Sequence, residues 1–371
     1  MNIKRIPESQ GWLQRAGEWA IRQHTFMPRM IDLEVSRVCN LKCPACVRTS
    51  VSSLAQKGWE PFCTLDRFRE IYKEIPTIGT LNFMGDGEPL MNRELDDIVH
   101  YASLSGVYTV ITTNATLVTP GRIKHWKENK VYRVHVSLDA PKKGLYEDIR
   151  VGAEWGETYE ILQWLATSGI PMCINMLLTK ASIEEMPNMV RLCKEIGIRE
   201  VTFLMPICPH GDDTLVRVDD DTRNRQLFWD THKLCNELGV RWIFPLTLSP
   251  TFRRFNFPFI RPQVSIEGDI WPCCYSLGRG KNWVFGHCID LPERLYVMGN
   301  VFKDDFRKVW FGEGFRKIRE IYKRTELPKG TVISKEEYLR KVEDVERRVK
   351  EGGDWFLHCE ICPARWGVAC S

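Results

Sequence analysis

No stretch of this chain is long and apolar enough to span a bilayer, which takes about 20 consecutive apolar residues, although 43% of its 371 residues are hydrophobic. The first thirty residues carry charges throughout and lack the apolar centre of a secretion signal, so a cytoplasmic location is expected. Charge of one sign is also missing. The 52 basic and 48 acidic residues leave a net charge of +4 with no dominant block, so neither nucleic acid nor a membrane surface is expected as a partner. Cysteine is too sparse for a disulfide scaffold, at 14 in 371 residues, and a reducing compartment would leave those thiols available to metals. Low-complexity segments are absent too. What remains is a globular chain long enough to bury a full core, as two domains or one large domain with an extension.

Short aliphatic and β-branched runs recur about every thirty residues, the length of a βα unit, with amphipathic patterns between them. The runs predict six strands, Met30–Ser36, Thr80–Gly85, Val107–Thr113, Arg133–Asp139, Met172–Leu178 and Glu200–Pro206. Helices are expected at Thr64–Ile75, Arg93–Ser105 and Ser182–Ile196, the last followed by Gly197. A repeated β-α-β pattern implies a parallel sheet, either an open three-quarter barrel or a flat doubly wound sheet, with ligand sites at the carboxyl ends of the strands. Beyond Pro206 the pattern ends. A loop, a helix over 221–238 and a short strand over Val240–Pro245 follow, then a hairpin over 264–272 leading into Cys273 and two helices over 303–324 and 335–352.

The cysteines are grouped. Cys39, Cys43 and Cys46 sit directly after the first strand, whereas Cys359, Cys362 and Cys370 close the chain, with Cys273 and Cys274 between. Cys63, Cys173, Cys193 and Cys235 fall inside strand or helix patterns and read as small buried hydrophobes. Three thiolates on one loop are one ligand short of closing a tetrahedral zinc site or a cubane cluster. The loop Cys39-Asn40-Leu41-Lys42-Cys43-Pro44-Ala45-Cys46 offers neither a histidine nor a fourth cysteine. A structural site needs that fourth protein ligand, whereas a catalytic cluster keeps one iron open.

With this loop the chain resembles the radical S-adenosylmethionine (SAM) superfamily, whose signature is CxxxCxxC after the first barrel strand. Gly85-Asp86-Gly87-Glu88-Pro89 resembles the family's glycine-glutamate-proline motif, which implies that Gly87 and Glu88 meet the amino group of SAM. Asn114 ends the third strand, and Ser137 and Asp139 end the fourth, where related enzymes place polar groups near the ribose. The segment Tyr146–Arg150 resembles the one whose arginine approaches the SAM carboxylate. Ala45 departs from the aromatic that many members carry before the third cysteine. The resemblance implies a [4Fe-4S] cluster on Cys39, Cys43 and Cys46, SAM chelated to its open iron, and a 5′-deoxyadenosyl radical that removes hydrogen from a substrate. A reductant such as flavodoxin or ferredoxin is implied as well.

The carboxyl-terminal cysteines resemble the auxiliary-cluster domains of this superfamily, SPASM and the shorter twitch. Gly268 to Cys273 gives their G-x4-C element, Met298-Gly299-Asn300-Val301 and the Trp310 helix their middle, and Cys359-x2-Cys362 their closing pair. The first cysteine of that pattern is missing near Arg253–Pro258. An auxiliary [4Fe-4S] cluster would therefore rest on Cys273, Cys359 and Cys362, with Cys370, Cys288, Cys274 or Cys208 as the fourth ligand; a zinc staple is the competing reading. Cys208, just past the sixth strand, is also placed to donate hydrogen to a substrate radical. The expected fold is α/β, a partial (β/α)6 barrel with a cysteine-rich SPASM/twitch-like α+β domain. It divides into an amino-terminal helical extension (1–29), the barrel (30–218), a linker helix and strand (219–262) and the auxiliary domain (263–371). Expected chemistry is modification of a peptide or protein, with small-molecule dehydrogenation or epimerisation as the alternative and a zinc-stabilised adaptor outside both.

Overall fold

The computed structural model describes residues 27–44, 46, 60–75, 77–204, 222–243, 261–272, 281–284, 287–290, 297–324 and 335–353. Its spine is an alternation of strands and helices: β1 (Met30–Glu34), α1 (Leu65–Glu74), β2 (Thr80–Met84), α2 (Leu95–Leu104), β3 (Tyr108–Thr113), α3 (Pro120–Glu128) and β4 (Arg133–Ser137). It continues with α4 (Lys143–Ile149), α5 (Trp155–Thr167), β5 (Met172–Leu177), α6 (Met186–Ile196), β6 (Glu200–Leu204), α7 (Thr222–Leu238) and β7 (Arg241–Ile243). Strands β1 to β7 pair in parallel, each with the next in sequence. The sheet is open among the described residues, as a partial barrel requires.

Alternation along each strand separates two faces. On β2, Leu81 and Phe83 are fully buried toward the helices, where Phe68 of α1 meets Phe83 edge-on with ring centroids 6.4 Å apart and Tyr101 of α2 at 5.9 Å. The intervening Asn82 points the other way and donates 2.8 Å to Asp32 of β1. Helix starts carry side-chain caps: Thr64 accepts the Arg67 amide at 3.1 Å, and Thr119, ahead of Pro120, accepts that of Arg122 at 3.2 Å.

The six expected strands are all present, each one or two residues shorter among the described residues, in all but β3 at the carboxyl end. Two differences concern the sheet edges. The strand in the segment read as a linker, β7, pairs with β6, so the parallel sheet runs one strand further than the sequence pattern suggested. At the other edge, β8 (Gln263–Val264) lies parallel to β1 and turns into β9 (Asp269–Trp271), which pairs with β12 (Gly299–Asn300). The hairpin of the carboxyl-terminal part thus extends the barrel sheet. A separate ribbon is formed by β10 (Lys281–Val284) and β11 (His287–Asp290).

The expected helix over 303–324 is broken at Phe311–Gly312 into α8 (Phe306–Trp310) and α9 (Glu313–Arg324), and α10 spans Lys335–Lys350. On α9, Arg319 is 1% exposed; it stacks on Trp310 at 4.1 Å and donates 2.7 Å to the Trp310 carbonyl. Val342 and Val345 of α10 are buried. The expected amino-terminal extension, apart from 27–29, and Cys208, Cys273, Cys274, Cys359, Cys362 and Cys370 lie outside the described residues, as do Arg253–Pro258; Cys288 is described only as backbone in β11.

Candidate active site

The loop after β1 is held down by a second loop, the one after β2. Gly87 donates its amide to the Ser36 carbonyl at 3.0 Å and Glu88 to the Val38 carbonyl at 2.8 Å. The two backbones approach so closely that a Cβ on Gly87 would lie 2.4 Å from the Val38 oxygen, and one on Gly85 2.7 Å from the Ser36 oxygen. Only glycine fits there. Asn92 fastens the same region, donating to the carbonyls of Val35 at 3.0 Å and Cys63 at 2.7 Å. Farther along, Lys42 donates to the Val151 carbonyl at 2.9 Å and Leu41 is buried, so the thiol-bearing turn is held before Cys39 and again between Cys39 and Cys43.

Cys39, Cys43 and Cys46 are partly exposed on this turn. Cys39 Sγ accepts the Leu41 amide at 3.4 Å and the Asn114 side-chain amide at 3.8 Å. Burial raises the Cys43 thiol above its ordinary value; Arg150 pulls it down, while Cys46, Asp139 and Cys39 push it up. Among the described residues no three His, Cys, Asp or Glu side chains converge on a single ion. The donor set itself suits an iron–sulfur cluster. It has three thiols on one loop, N–H groups directed at a sulfur, and a cation beside them to offset the charge that three thiolates and a cubane would carry.

Glu88 is 3% exposed, yet its carboxylate accepts three hydrogen bonds. Oε1 takes the Leu90 amide at 3.1 Å and the Thr113 hydroxyl at 2.6 Å, and Oε2 takes the Asn114 amide at 2.7 Å. Burial still raises its pKa above the usual carboxylate range, against the pull of those donors and of Arg150. The turn that aims the Asn114 amide at Glu88 continues through Ala115, a non-glycine residue at φ 69°. Asn114 also donates 3.0 Å to Asn40 on the thiol loop. Glu88, Asn114 and Cys39 thus form one hydrogen-bonded chain.

Arg150 and Asp139 complete the group. Arg150 Nε donates 2.7 Å to Asp139 Oδ2, and Asp139 Oδ1 accepts the Leu177 amide at 2.8 Å. Burial works against the Arg150 charge, but Asp139 and Cys43 hold its pKa above the ordinary value. Both Asp139 oxygens are therefore engaged within the chain, and its place is to hold Arg150 toward the thiols. Ser137 is partly exposed at the end of β4, in register with Asn175. The structure gathers Cys39, Cys43, Cys46, Gly87, Glu88, Asn114, Ser137, Asp139 and Arg150 at one end of the sheet.

The sequence reading missed the polar lining of the inner face. Asp32 (1% exposed) accepts Asn82, has Arg261 Nε 2.9 Å from its second oxygen, and is paired in register with Gln263. Burial raises its carboxyl, against Arg261, Asn82 and Gln263. His135, its pKa lowered chiefly by burial, stands 3.5 Å from Asn175. The signal was present as polar residues at alternate positions inside otherwise apolar strands, Asp32 and Glu34 on β1 and Asn82 on β2. In a packed barrel those positions are filled by branched aliphatics.

An open parallel βα sheet with a three-thiol loop at its carboxyl mouth defines a barrel-type metalloenzyme scaffold. The sequence model of the radical SAM superfamily matches residues 33–193, and that of an iron-sulfur cluster-binding domain, SPASM, matches 257–330. Together they cover more than half of the chain, which belongs to the radical SAM superfamily and carries a SPASM domain. These domains imply a [4Fe-4S] cluster, auxiliary cluster binding and SAM binding. Cys273, Cys274 and Cys288 fall inside the second match; Cys359, Cys362 and Cys370 lie beyond it.

Among relatives, the chain is 26% identical over 319 residues to an AdoMet-dependent heme synthase of Methanosarcina barkeri, covering 80% of this chain and 86% of that one. It is 25% identical over 328 residues to a PqqA peptide cyclase of Rhodopseudomonas palustris, covering 74% and 82%. Streptococcus suis SuiB bound to S-adenosylmethionine shares the fold, with a TM-score of 0.63 at 19% identity over 86% of this chain and 75% of that one. No helix among the described residues is long and apolar enough to cross a membrane.

Proposed function

We propose that this chain cleaves SAM reductively and uses the resulting radical to remove hydrogen from a peptide or protein substrate. The observation that carries the reading is the hydrogen-bonded chain from Glu88 through Asn114 to Cys39, which sets a buried carboxylate beside the thiol loop. Cys39, Cys43 and Cys46 would hold the cluster. When bound, it supplies the electron that breaks SAM into methionine and a 5′-deoxyadenosyl radical. Glu88 accepts the methionyl ammonium on the one lone pair its three donors leave open, on Oε2. Arg150, fixed by Asp139, faces the methionyl carboxylate, while Asn114 and Ser137 approach the ribose. Gly87 lets the loop backbone come close enough for these contacts.

The peptide assignment is supported by the PqqA peptide cyclase relative and by the carboxamide-lined inner face, Asn82, Asn175 and Gln263, which suits amide partners. Cys273, Cys359 and Cys362 would ligate the auxiliary cluster, completed by Cys370, Cys288, Cys274 or Cys208, and Cys208 remains the candidate hydrogen donor. A flavodoxin or ferredoxin in a reducing cytoplasm would supply electrons. The second reading, a small-molecule substrate, is favoured by the heme synthase name of the M. barkeri relative.

The test is anaerobic reconstitution followed by incubation with SAM, dithionite and either peptides encoded beside the gene or a porphyrin. Peptide-dependent 5′-deoxyadenosine and a mass change of the peptide support the first reading. Stimulation by porphyrin alone supports the second, and a colourless zinc protein would overturn both.

A further inference from the structure

Arg37 stands two residues before Cys39, and its side chain reaches from the radical SAM match to the iron-sulfur domain match. Its guanidinium forks. Nη2 lies 2.5 Å from Glu34 Oε2, at the end of β1, and 2.6 Å from Glu267 Oε2, while Nη1 donates to Glu267 Oε1 and to the Glu60 carbonyl at 3.4 Å. Arg37 meets Glu267 through two parallel hydrogen bonds and Glu34 through one; the side chains of Arg37 and Glu34 are each 10% exposed and that of Glu267 35%, so the guanidinium is largely buried while Glu267 closes it off at the rim. Glu267 belongs to the turn between β8 and β9, within the iron-sulfur domain match.

That turn is rigid. Gly268 sits at φ +84°, and a Cβ there would meet the Phe302 ring at 2.5 Å. Asn300 of β12 donates to the Glu267 carbonyl at 2.8 Å and to Asp269 at 2.9 Å. Arg67 of α1 stacks on Phe302 at 4.6 Å, a second bridge between the same two parts. On the other side, the residues flanking Arg37 are the ones whose carbonyls, Ser36 and Val38, receive the amides of Gly87 and Glu88. A physical line therefore runs from the hairpin turn through Arg37 to the two loops that carry the thiols and Glu88.

We propose that Arg37 is a positioning residue through which docking of the iron-sulfur domain's hairpin sets the affinity of the barrel for SAM. The inference rests on the SAM site argued above. With the hairpin docked, Glu267 and Glu34 hold the guanidinium and keep segment 36–38 in the register that Gly87 and Glu88 read. Without it, the thiol loop and the Glu88 loop lose a common brace.

The test uses the reconstituted full-length protein and the variants Glu267→Gln, Arg37→Gln, Arg37→Lys and the double Glu267→Gln/Arg37→Gln. SAM dissociation constants are measured beside hydrogen exchange at the Gly87 and Glu88 amides. Glu267→Gln should weaken SAM binding about tenfold, within the usual range for linked sites, and speed exchange at both amides with iron content unchanged. Arg37→Gln should do the same, Arg37→Lys should retain part of the affinity because a single ammonium cannot fork, and the double variant should be no worse than the worse single. A Glu267→Gln protein with parental SAM affinity and parental exchange at Gly87 and Glu88 overturns the proposal. A parent that binds no SAM overturns the SAM reading instead, and amide exchange then decides the brace by itself.

Discussion

Glu88 concentrates the electrostatics of the site in one residue. It is a buried carboxylate whose three internal donors do not fully offset burial, so its pKa is raised. A raised acid accepts its proton at a higher pH than an ordinary glutamate, near 4.3, and the protonated form cannot pair with an ammonium. SAM affinity should therefore fall on acidification earlier than a solvent-exposed glutamate would dictate. Titrating SAM binding from about pH 8 to pH 5 checks this. In Glu88→Gln that acid limb should vanish, with affinity lower by roughly 10- to 100-fold, the worth of a charge-assisted hydrogen bond, and with iron content intact. The thiols offer a second residue-level contrast. Burial pushes Cys63, Cys173 and Cys235 up to about 12 and Cys193 up as well, whereas Cys39, Cys43 and Cys46 are partly exposed. Mild alkylation of the native metal-free protein near pH 8, followed by peptide mass mapping, should modify the loop cysteines first and leave the four buried ones untouched; early labelling of Cys173 would contradict the packing described.

Between elements, the most demanding contact is the one that docks the loop after β2 against the loop after β1. A Cβ at residue 87 would press on the backbone nitrogen and oxygen of Val38, at 2.5 and 2.4 Å, one residue before Cys39. Gly87→Ala should cost about 1–3 kcal/mol or more, as an overpacked contact against backbone does, and should lower both thermal midpoint and iron uptake; a variant with parental melting and iron would refute the close approach. How much of this was legible follows from the same elements. β1 to β6 stood out because each buries an aliphatic run, and the motifs stood at their ends because parallel sheets present ligands there. β7 and β8, at three and two residues, were legible as a strand over 240–245 and as part of a hairpin over 264–272, but not as members of the barrel sheet. Their pairing to β6 and β1 is fixed by tertiary contacts that no local pattern records. The break at Phe311–Gly312 was hidden by continuous amphipathicity on both sides. Asp139 was legible as a strand-end polar group, but its engagement with Arg150 and the Leu177 amide depends on an approach of β5 that spacing cannot reveal.

At the scale of the molecule, the two matched domains share one sheet: the hairpin of the second pairs with the first strand of the first. Each should nevertheless carry its own metal. Reconstituted protein is expected to hold about eight irons, two cubanes of four, and a triple Cys39→Ala/Cys43→Ala/Cys46→Ala variant about half of that. Complete loss of iron in the triple variant would mean a single cluster, and retained zinc a structural site. The central claim, that the loop after β1 holds the cluster that cleaves SAM, is tested most directly by 5′-deoxyadenosine formation under dithionite in the parent and in the three single variants Cys39→Ala, Cys43→Ala and Cys46→Ala. The parent should release 5′-deoxyadenosine and each variant none above background, whereas normal release by any one of them would contradict the claim.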